Sequence, residues 1–303
     1  MSRFKIILNP ISGRGYGARA EPEIRRLMAK ADADFDLVLT EGTWHAAELA
    51  EQAVRDGFDI VVAAGGDGTV HEVVNGMMAT ARDSDEIVGT LGTLPVGSGS
   101  DFAHNVGVLP DLPSACHGLT HGQTRVVDIG RVAADNQTFT FFDNTINVGF
   151  GGTVTEEARK VKWVRGMALY LPVVLKTIFL ARSPRMTVEY NDEKVTMPML
   201  MVAVGNGARE GGGFFCTPDA KMDDGLLDLC IAEAASKLTQ LSLVPRFMDG
   251  SHTTHRVVTM AQTTHAIITS PDNLCAHVDG EMLSTKAHRL EFEILPQRLR
   301  VVA

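Results

Sequence analysis

The sequence predicts two domains of different class: an α/β domain built on a parallel sheet, followed by an antiparallel, β-rich domain. Three observations carry this. In the first third, short apolar runs alternate with segments of helical period, and each glycine-rich stretch sits directly after an apolar run. From about residue 125 the texture changes to short β-like runs broken by Asn, Asp, Gly and Pro, as in RVVDIGRVAADNQTFTFFDNTINVGFG. At 303 residues, 45% hydrophobic and 21% charged, the chain has the length for two cores and an ordinary globular composition. No low-complexity linker divides the halves, and no internal repeat is found.

The elements follow in order. FKIIL (4–8) is a buried strand; the loop NPISGRGYG and a helix over roughly 18–31 come next. FDLVL (35–39) is the second strand, and TEGTWHAAELAEQAVRDG a turn and helix. DIVVAA (59–64) is the third strand, and GGDGT leads into a helix. There Val70, Val73, Val74 and Met77 fall at i, i+3, i+4 and i+7, one buried stripe. VGTLGTLPVG supplies a fourth strand and loop. Such alternation implies ligands at the carboxyl ends of the strands. In the second half RMTVEYNDEKVTMPMLMVAVGNG, LLDLCIA, THAIITS and AHVDGE are further strand-like runs, with one helical insertion at about 155–182.

Composition excludes several classes. A formal net charge of −9 supplies no basic field for nucleic acid. Cys116, Cys216, Cys230 and Cys275 form no C-x-x-C pair, which suits a reducing cytosol and speaks against a zinc ribbon or disulfide scaffold. The apolar stretch in MSRFKIILNP is too short for a secretory signal, and the longest apolar run, 166–175, is about half of a membrane span. A soluble, cytoplasmic protein is expected.

Two loops carry chemistry. NPISGRG (9–15) offers Asn9, the Ser12 hydroxyl and Gly13 at the end of the first strand, groups suited to a nucleotide's phosphates or sugar, although a plain βα turn has the same composition. No G-x-x-x-x-G-K-[ST] occurs, so a nucleotide site here uses a design other than the Walker loop. In GGDGT, Gly65, Gly66 and Gly68 surround Asp67. Glycines let backbone N–H groups approach a phosphate, and a helix N-terminus favours anions, so a carboxylate in their midst needs a role. It either handles Mg²⁺ or accepts the proton of an attacking hydroxyl.

NPISG, GGDGTVHEVVNG, LPVGSGSDFAHNVG, GNGAREGGGFFCTPDAKMDDGLLDL and VDGE occur in the order seen in the diacylglycerol-kinase catalytic-domain family, which includes the sphingosine and ceramide kinases. The chain resembles that family over nearly its whole length. GGDGT alone is shared with NAD kinases and phosphofructokinases; its co-occurrence with N-P-x-S-G and P-D-A-K-x-D-D-G is more specific. The resemblance implies an NAD-kinase/diacylglycerol-kinase-like α/β domain over 1–124 and 290–303, and an antiparallel β-sandwich over 125–289. It also implies ATP in the cleft between the two. By motif position Asn9, Pro10, Ser12, Gly13, Thr40, Gly65, Gly66, Asp67, Gly68, Thr69, Val70, His71 and Ser98 are implied nucleotide contacts. Glu281 matches the proton acceptor of bacterial members, Asp279 lies beside it, and Asp67 matches an aspartate implicated in catalysis elsewhere in the superfamily. Two candidate bases, Asp67 and Glu281, therefore stand. Lys221 and Leu226 (carbonyls) and Asp224 (carboxylate) match a secondary Mg²⁺ site, an oxygen-only set suited to that ion.

The family's G-T-x-N-D-F-A appears here as GSGSDFA: Ser98 keeps a hydroxyl, whereas Ser100 loses an amide. His71 replaces the Asn common in bacterial members, as in the sphingosine and ceramide branch. The implied activity is ATP- and Mg²⁺-dependent transfer of a phosphoryl group to a hydroxyl of a lipid such as diacylglycerol or a sphingoid base. The alternatives are an NAD or other small-molecule kinase, and a catalytically silent nucleotide- or lipid-binding module. Expected partners are the lipid, a membrane met peripherally and transiently, and a second copy of the chain.

Weaker signals remain. Residues 158–185 hold seven basic residues and no acidic one; with Trp163 and Tyr170 they suit either an anionic bilayer or a core-packed helix with solvated ends, and Pro172 limits its regularity. His117 and His121 have the spacing of a metal pair but no third ligand, and Gly118 and Gly122 weaken a helix there; they are expected to be ordinary surface histidines, like His252 and His255. Cys216 is expected to be a small buried residue.

Overall fold

In the computed structural model, residues 2–82, 86–135, 139–160 and 167–303 are described, residues 167–170 by backbone alone. The chain divides into two compact units, residues 1–129 with 295–303, and residues 130–294.

The first unit alternates strand and helix: β1 (Arg3–Leu8), α1 (Ser12–Lys30), β2 (Asp34–Leu39), α2 (His45–Arg55), β3 (Ile60–Gly65), α3 (Asp67–Met78), β4 (Thr90–Pro95), then α4 (Asp101–Asn105) and α5 (Leu112–His121). The strands pair in parallel in the order β2-β1-β3-β4. The last residues of β13 (Glu281–Val302) add a further parallel strand, with Arg300 and Val301 opposite Thr90 and Leu91. Strands buried on both faces read as continuous apolar runs, hence IIL and VVAA. Ile6, Leu8, Val62, Ala64 and Leu94 pack on Ile24 and Met28 of α1 and Ala115 and Leu119 of α5 to form one core. Gly118 does not break α5, and its His117 and His121 rings stack 4.3 Å apart.

The second unit is antiparallel. It contains β6 (Thr140–Phe142), β7 (Thr145–Gly149), β8 (Arg185–Tyr190), β9 (Glu193–Gly205), β10 (Leu227–Glu233), β11 (Val258–Thr263), β12 (His265–Val278) and the first part of β13. β5 (Thr124–Ala134) enters it and pairs with β6. The strand order is β11-β10-β9-β7-β12-β13, and β8 pairs with both β9 and β12. Val148, Val188, Val204, Leu229, Ile268 and Phe292 belong to its core. Three helices accompany the sheet: α6 (Phe150–Arg159), α7 (Met167–Leu180) and α8 (Lys237–Asp249). The helical insertion thus comprises α6 and α7, and α7 continues through Pro172. Trp163 and the Tyr170 side chain lie outside the described residues.

Regular helical backbone in α1 starts only after Gly13, Arg14 and Gly15, which are left-handed, in keeping with the helix expected over roughly 18–31. One expectation is corrected. His252 is no surface histidine: it is fully buried, stacked on Phe247 at 3.9 Å, with its ring nitrogens against the carbonyls of Arg246 and Cys216. Burial holds its pKa below the ordinary value.

Candidate active site

In the first unit the loops after β1, β3 and β4 meet at the carboxyl ends of their strands. The Asn9 side chain donates to the Thr69 hydroxyl at 3.1 Å and accepts from the Ile11 N–H at 3.2 Å, tying the first loop to the GGDGT turn. Thr40 follows β2, with its N–H on the Leu8 carbonyl at 2.9 Å. The glycines are required by contact between backbones. A Cβ on Gly97 would lie 2.3 Å from the Gly66 Cα, and one on Gly66 would lie 2.9 Å from the Gly99 carbonyl oxygen. Gly13, at φ +55°, would place a Cβ 2.6 Å from the Val96 oxygen. Gly66 is extended and precedes α3, whose first N–H groups lack intrahelical acceptors. Asp67 opens that helix, and its carboxylate accepts the Phe102 N–H at 3.1 Å. The aspartate within the GGDG turn thereby fastens it to the segment after β4. His71 is buried on the same helix beneath Trp44, ring centroids 5.7 Å apart. Ser98 is exposed.

In the second unit Asp279 and Glu281, two residues apart, are in opposite settings. Asp279 (φ +46°) and Gly280 (φ +83°) turn the chain sharply. The Asp279 carboxylate is buried and accepts the N–H groups of Asp143 (3.1 Å), Asn144 (3.1 Å) and Thr145 (2.9 Å), which fixes the start of β7. The Glu281 side chain is 56% exposed, with Arg159 at 3.4 Å. Asp224 accepts the Leu226 N–H at 3.1 Å across a tight turn at Gly225 (φ +74°). Burial, and then the negative charges of Asp224 and Asp219, push the nearby Asp228 carboxyl up to about 6. Carboxylates gathered around one turn, as Asp219, Asp224 and Asp228 are, are oxygen donors of the kind that suits a hard divalent cation.

The same unit holds a half-open, largely apolar cavity of about 100 Å³ under α6, α7 and α8. Phe150, Val154, Val174, Ile178, Leu243 and Phe247 are among its lining residues; Asn147, Glu210, Cys216 and His277 are polar members, and Gly280 also lines it. Glu210 accepts from the Asn147 amide at 2.9 Å and from the Cys216 thiol at 3.1 Å. Cys216 is buried, as expected, and lines this cavity as well.

Residues 3–132 match the family model for the diacylglycerol kinase catalytic domain, and residues 144–303 match that for the YegS C-terminal NAD kinase beta sandwich-like domain. The chain belongs to the diacylglycerol kinase family of lipid kinases. It is therefore a kinase-family chain with an α/β first domain and an antiparallel β-sandwich second domain. A diacylglycerol kinase of Staphylococcus epidermidis is 30% identical over 283 residues, covering 92% of this chain and 85% of that protein. A probable lipid kinase YegS-like protein of Pectobacterium atrosepticum is 29% identical, covering 98% and 95%. A crystal structure described as a diacylglycerol kinase from Bacillus anthracis has the same fold, with a TM-score of 0.74 at 20% identity, covering 99% of this chain and 96% of that one.

In this lipid-kinase-family chain, the sequence-derived nucleotide contacts Asn9, Pro10, Ser12, Gly13, Thr40, Gly65 to His71 and Ser98 lie on loops and a helix start at one end of the first unit's sheet. Asp279, Glu281, Lys221, Asp224 and Leu226 lie in the second unit. Sequence reasoning missed Trp44 against His71, and the buried pair Glu210 and His277. The only hint of that pair was a lone glutamate in the glycine-rich AREGGG.

Proposed function

We propose that this chain transfers the γ-phosphate of ATP to a hydroxyl group of a lipid, with Mg²⁺ required. The observation that carries the proposal is the backbone-to-backbone seating of the GGDG turn against residues 97–99, in a chain of the diacylglycerol kinase family. Phosphoryl transfer needs positioning and charge neutralisation more than covalent chemistry from the protein. The amide groups of residues 66–68 and 97–98 would hold the phosphates, and Asn9, Pro10, Ser12, Gly13, Thr40, Gly65, Thr69, Val70, His71 and Ser98 would complete the nucleotide's surroundings. The bond from Asp67 to the Phe102 N–H keeps the two phosphate loops in register, a role that favours Glu281 over Asp67 as the base. Glu281 is exposed and can accept the proton of the incoming hydroxyl, whereas Asp279 is committed to three amides. The apolar cavity would take the lipid's tail.

Asp224, with the carbonyls of Lys221 and Leu226, would hold a Mg²⁺ that stiffens the turn before β10. A bound divalent ion on the nucleotide would supply charge neutralisation at the phosphates.

Contact with a membrane is supported by Phe179 and Leu180 at the end of α7 and Leu238 at the start of α8. All three are exposed, with Lys176, Arg182 and Lys237 nearby in sequence. Lys237 joins the two helices through the Ala181 carbonyl at 3.2 Å. Apolar side chains ringed by cations suit an anionic bilayer surface. A cytoplasmic enzyme that meets the membrane transiently, as a monomer or homodimer, fits this surface.

The test is a labelled-ATP assay with a lipid panel and NAD as acceptors, using wild type, Asp67→Asn and Glu281→Gln. Loss of the base lowers turnover by ~10²–10⁴-fold with nucleotide binding retained. Phosphorylation of NAD with no lipid product would overturn the reading. If only Asp67→Asn abolished transfer, Glu281 would not be the base.

A further inference from the structure

We infer that the polar end of the second unit's cavity reads the head of the acceptor: Glu210, with His277 beside it, binds a hydrogen-bond donor on a single-chain amphiphile, either an amine or a second hydroxyl. This rests on the lipid-kinase reading above and narrows its substrate class.

Three observations lead there. Glu210 Oε1 is fully engaged, accepting from Asn147 and Cys216, while Oε2 has no hydrogen-bond partner among the described residues. His277 Nε2 stands 3.8 Å from that oxygen, too far for a hydrogen bond, and its Nδ1 also lacks a partner among them. Both side chains are buried, with 12% and 7% of their surfaces exposed, and both line the cavity. Leaving a buried carboxylate oxygen unpaired is costly, so such an atom in a cavity wall marks the place of a ligand's donor.

The chemistry of the missing partner is constrained. An ester carbonyl only accepts hydrogen bonds and cannot serve Oε2; an ammonium, amine or hydroxyl group can. Asn147, Thr155, Cys216 and Gln240 are further polar members of the lining, and the Gln240 Oε1 is a second acceptor without a partner among the described residues; the remaining side chains are apolar and suit a hydrocarbon chain. A cavity of about 150 Å³ takes a single benzene, so about 100 Å³ inside this half-open pocket seats a stretch of one chain, and a second chain would lie outside it. Gly280, on the same lining, adjoins Glu281 in sequence, so a head group held here stays near the proposed base. A diester with two chains and no donor beyond its reacting hydroxyl satisfies neither constraint. A long-chain amino alcohol or a monoacylglycerol satisfies both.

The experiment measures kcat/KM for a long-chain amino alcohol, a monoacylglycerol and a diacylglycerol in mixed micelles with labelled ATP. Wild type, Glu210→Gln and His277→Gln are compared, with a thermal melt for each. Calorimetric binding of the two single-chain lipids without ATP is measured in parallel. Wild type is expected to prefer the single-chain acceptors. Glu210→Gln presents an amide to a donor and should raise their KM ~10-fold or more, several times more than it raises that of diacylglycerol. His277→Gln should move the same two acceptors in the same direction, and it decides the matter if Glu210→Gln does not fold. A larger loss for the amine than for the monoacylglycerol identifies the amine as the donor, and the reverse identifies the hydroxyl. If wild type phosphorylates no lipid, the kinase reading fails while calorimetry still decides the pocket. Equal effects of the substitutions on all three acceptors, or no binding of either single-chain lipid, would overturn the inference.

Discussion

Substituting Gly97→Ala tests whether the GGDG turn and the loop at 97–99, proposed to hold phosphates, work through their contact. The added Cβ would stand 2.3 Å from the Gly66 Cα, 2.5 Å from the Gly66 nitrogen and 3.0 Å from the Gly65 carbonyl carbon. Carbon atoms rest at ~3.5–4.0 Å, so the loops must part by roughly 1 Å or more. Every atom that the methyl meets is backbone, so no side chain can swing aside. Overpacking of this kind costs ~1–3 kcal/mol of stability, which a chain with two cores tolerates. A displacement of ~1 Å at a phosphate-binding loop is expected to cost on the order of 10²-fold in turnover. Calorimetric titration with an ATP analogue, turnover at saturating acceptor and a thermal melt separate the two effects. The variant should stay folded, bind nucleotide at least tenfold more weakly and turn over about a hundredfold more slowly. Nucleotide affinity within a factor of two of wild type, in a folded variant, would refute the reasoning: the apposition of residues 65–66 and 97–99 would then not build the site.

Other substitutions probe the rest of the molecule. Gly118→Ala, where a Cβ meets nothing within 4 Å inside α5, should stabilise by ~0.5–1 kcal/mol, read as a higher melting temperature with unchanged activity. Asp279→Ala strands three buried N–H groups and should cost at least ~3 kcal/mol, visible in chemical denaturation, whereas Glu281→Gln should leave the denaturation midpoint unchanged. Glu157 of α6 is held down to about 2 by its bonds to Lys160 (2.5 Å) and Lys176 of α7 (2.8 Å). Its folded pKa is depressed, so its contribution is present above about 4.5 and is lost as pH falls toward 2. Glu157→Gln should thus lower stability at pH 7 by no more than ~1 kcal/mol after solvent screening, with the difference shrinking below pH 4. Asp224→Ala should abolish any rise in melting temperature produced by millimolar Mg²⁺ without nucleotide, while leaving nucleotide affinity within a few fold.

The first unit was legible because its signals are local. A glycine-rich turn directly after an apolar run marks a strand's carboxyl end, and the buried stripe of Val70, Val73, Val74 and Met77 marks α3. The left-handed turn ahead of the regular part of α1 was not legible: Arg14 holds a left-handed backbone (φ 60°) that no property of arginine announces. The opposite fates of Asp279 and Glu281 depend on a turn that buries one carboxylate and exposes the other, and VDGE does not encode which. Burial of His252 depends on Cys216, 36 residues away, and the Glu210–His277 pair joins positions 67 apart; neither separation leaves a period for inspection to find. Burial of a polar group is decided by what packs over it, and those partners are distant in sequence.

The strand closing the β4 edge belongs to residues 295–303, which a ribosome delivers only after all of 130–294. Until then this edge of β4 presents unpaired backbone groups, the Gly89 carbonyl among them, the kind of open margin that recruits foreign strands. Vectorial synthesis therefore leaves the first unit unfinished the longest. Nicks or frameshifts near residue 295 should harm that half first, however well the intervening sandwich has matured.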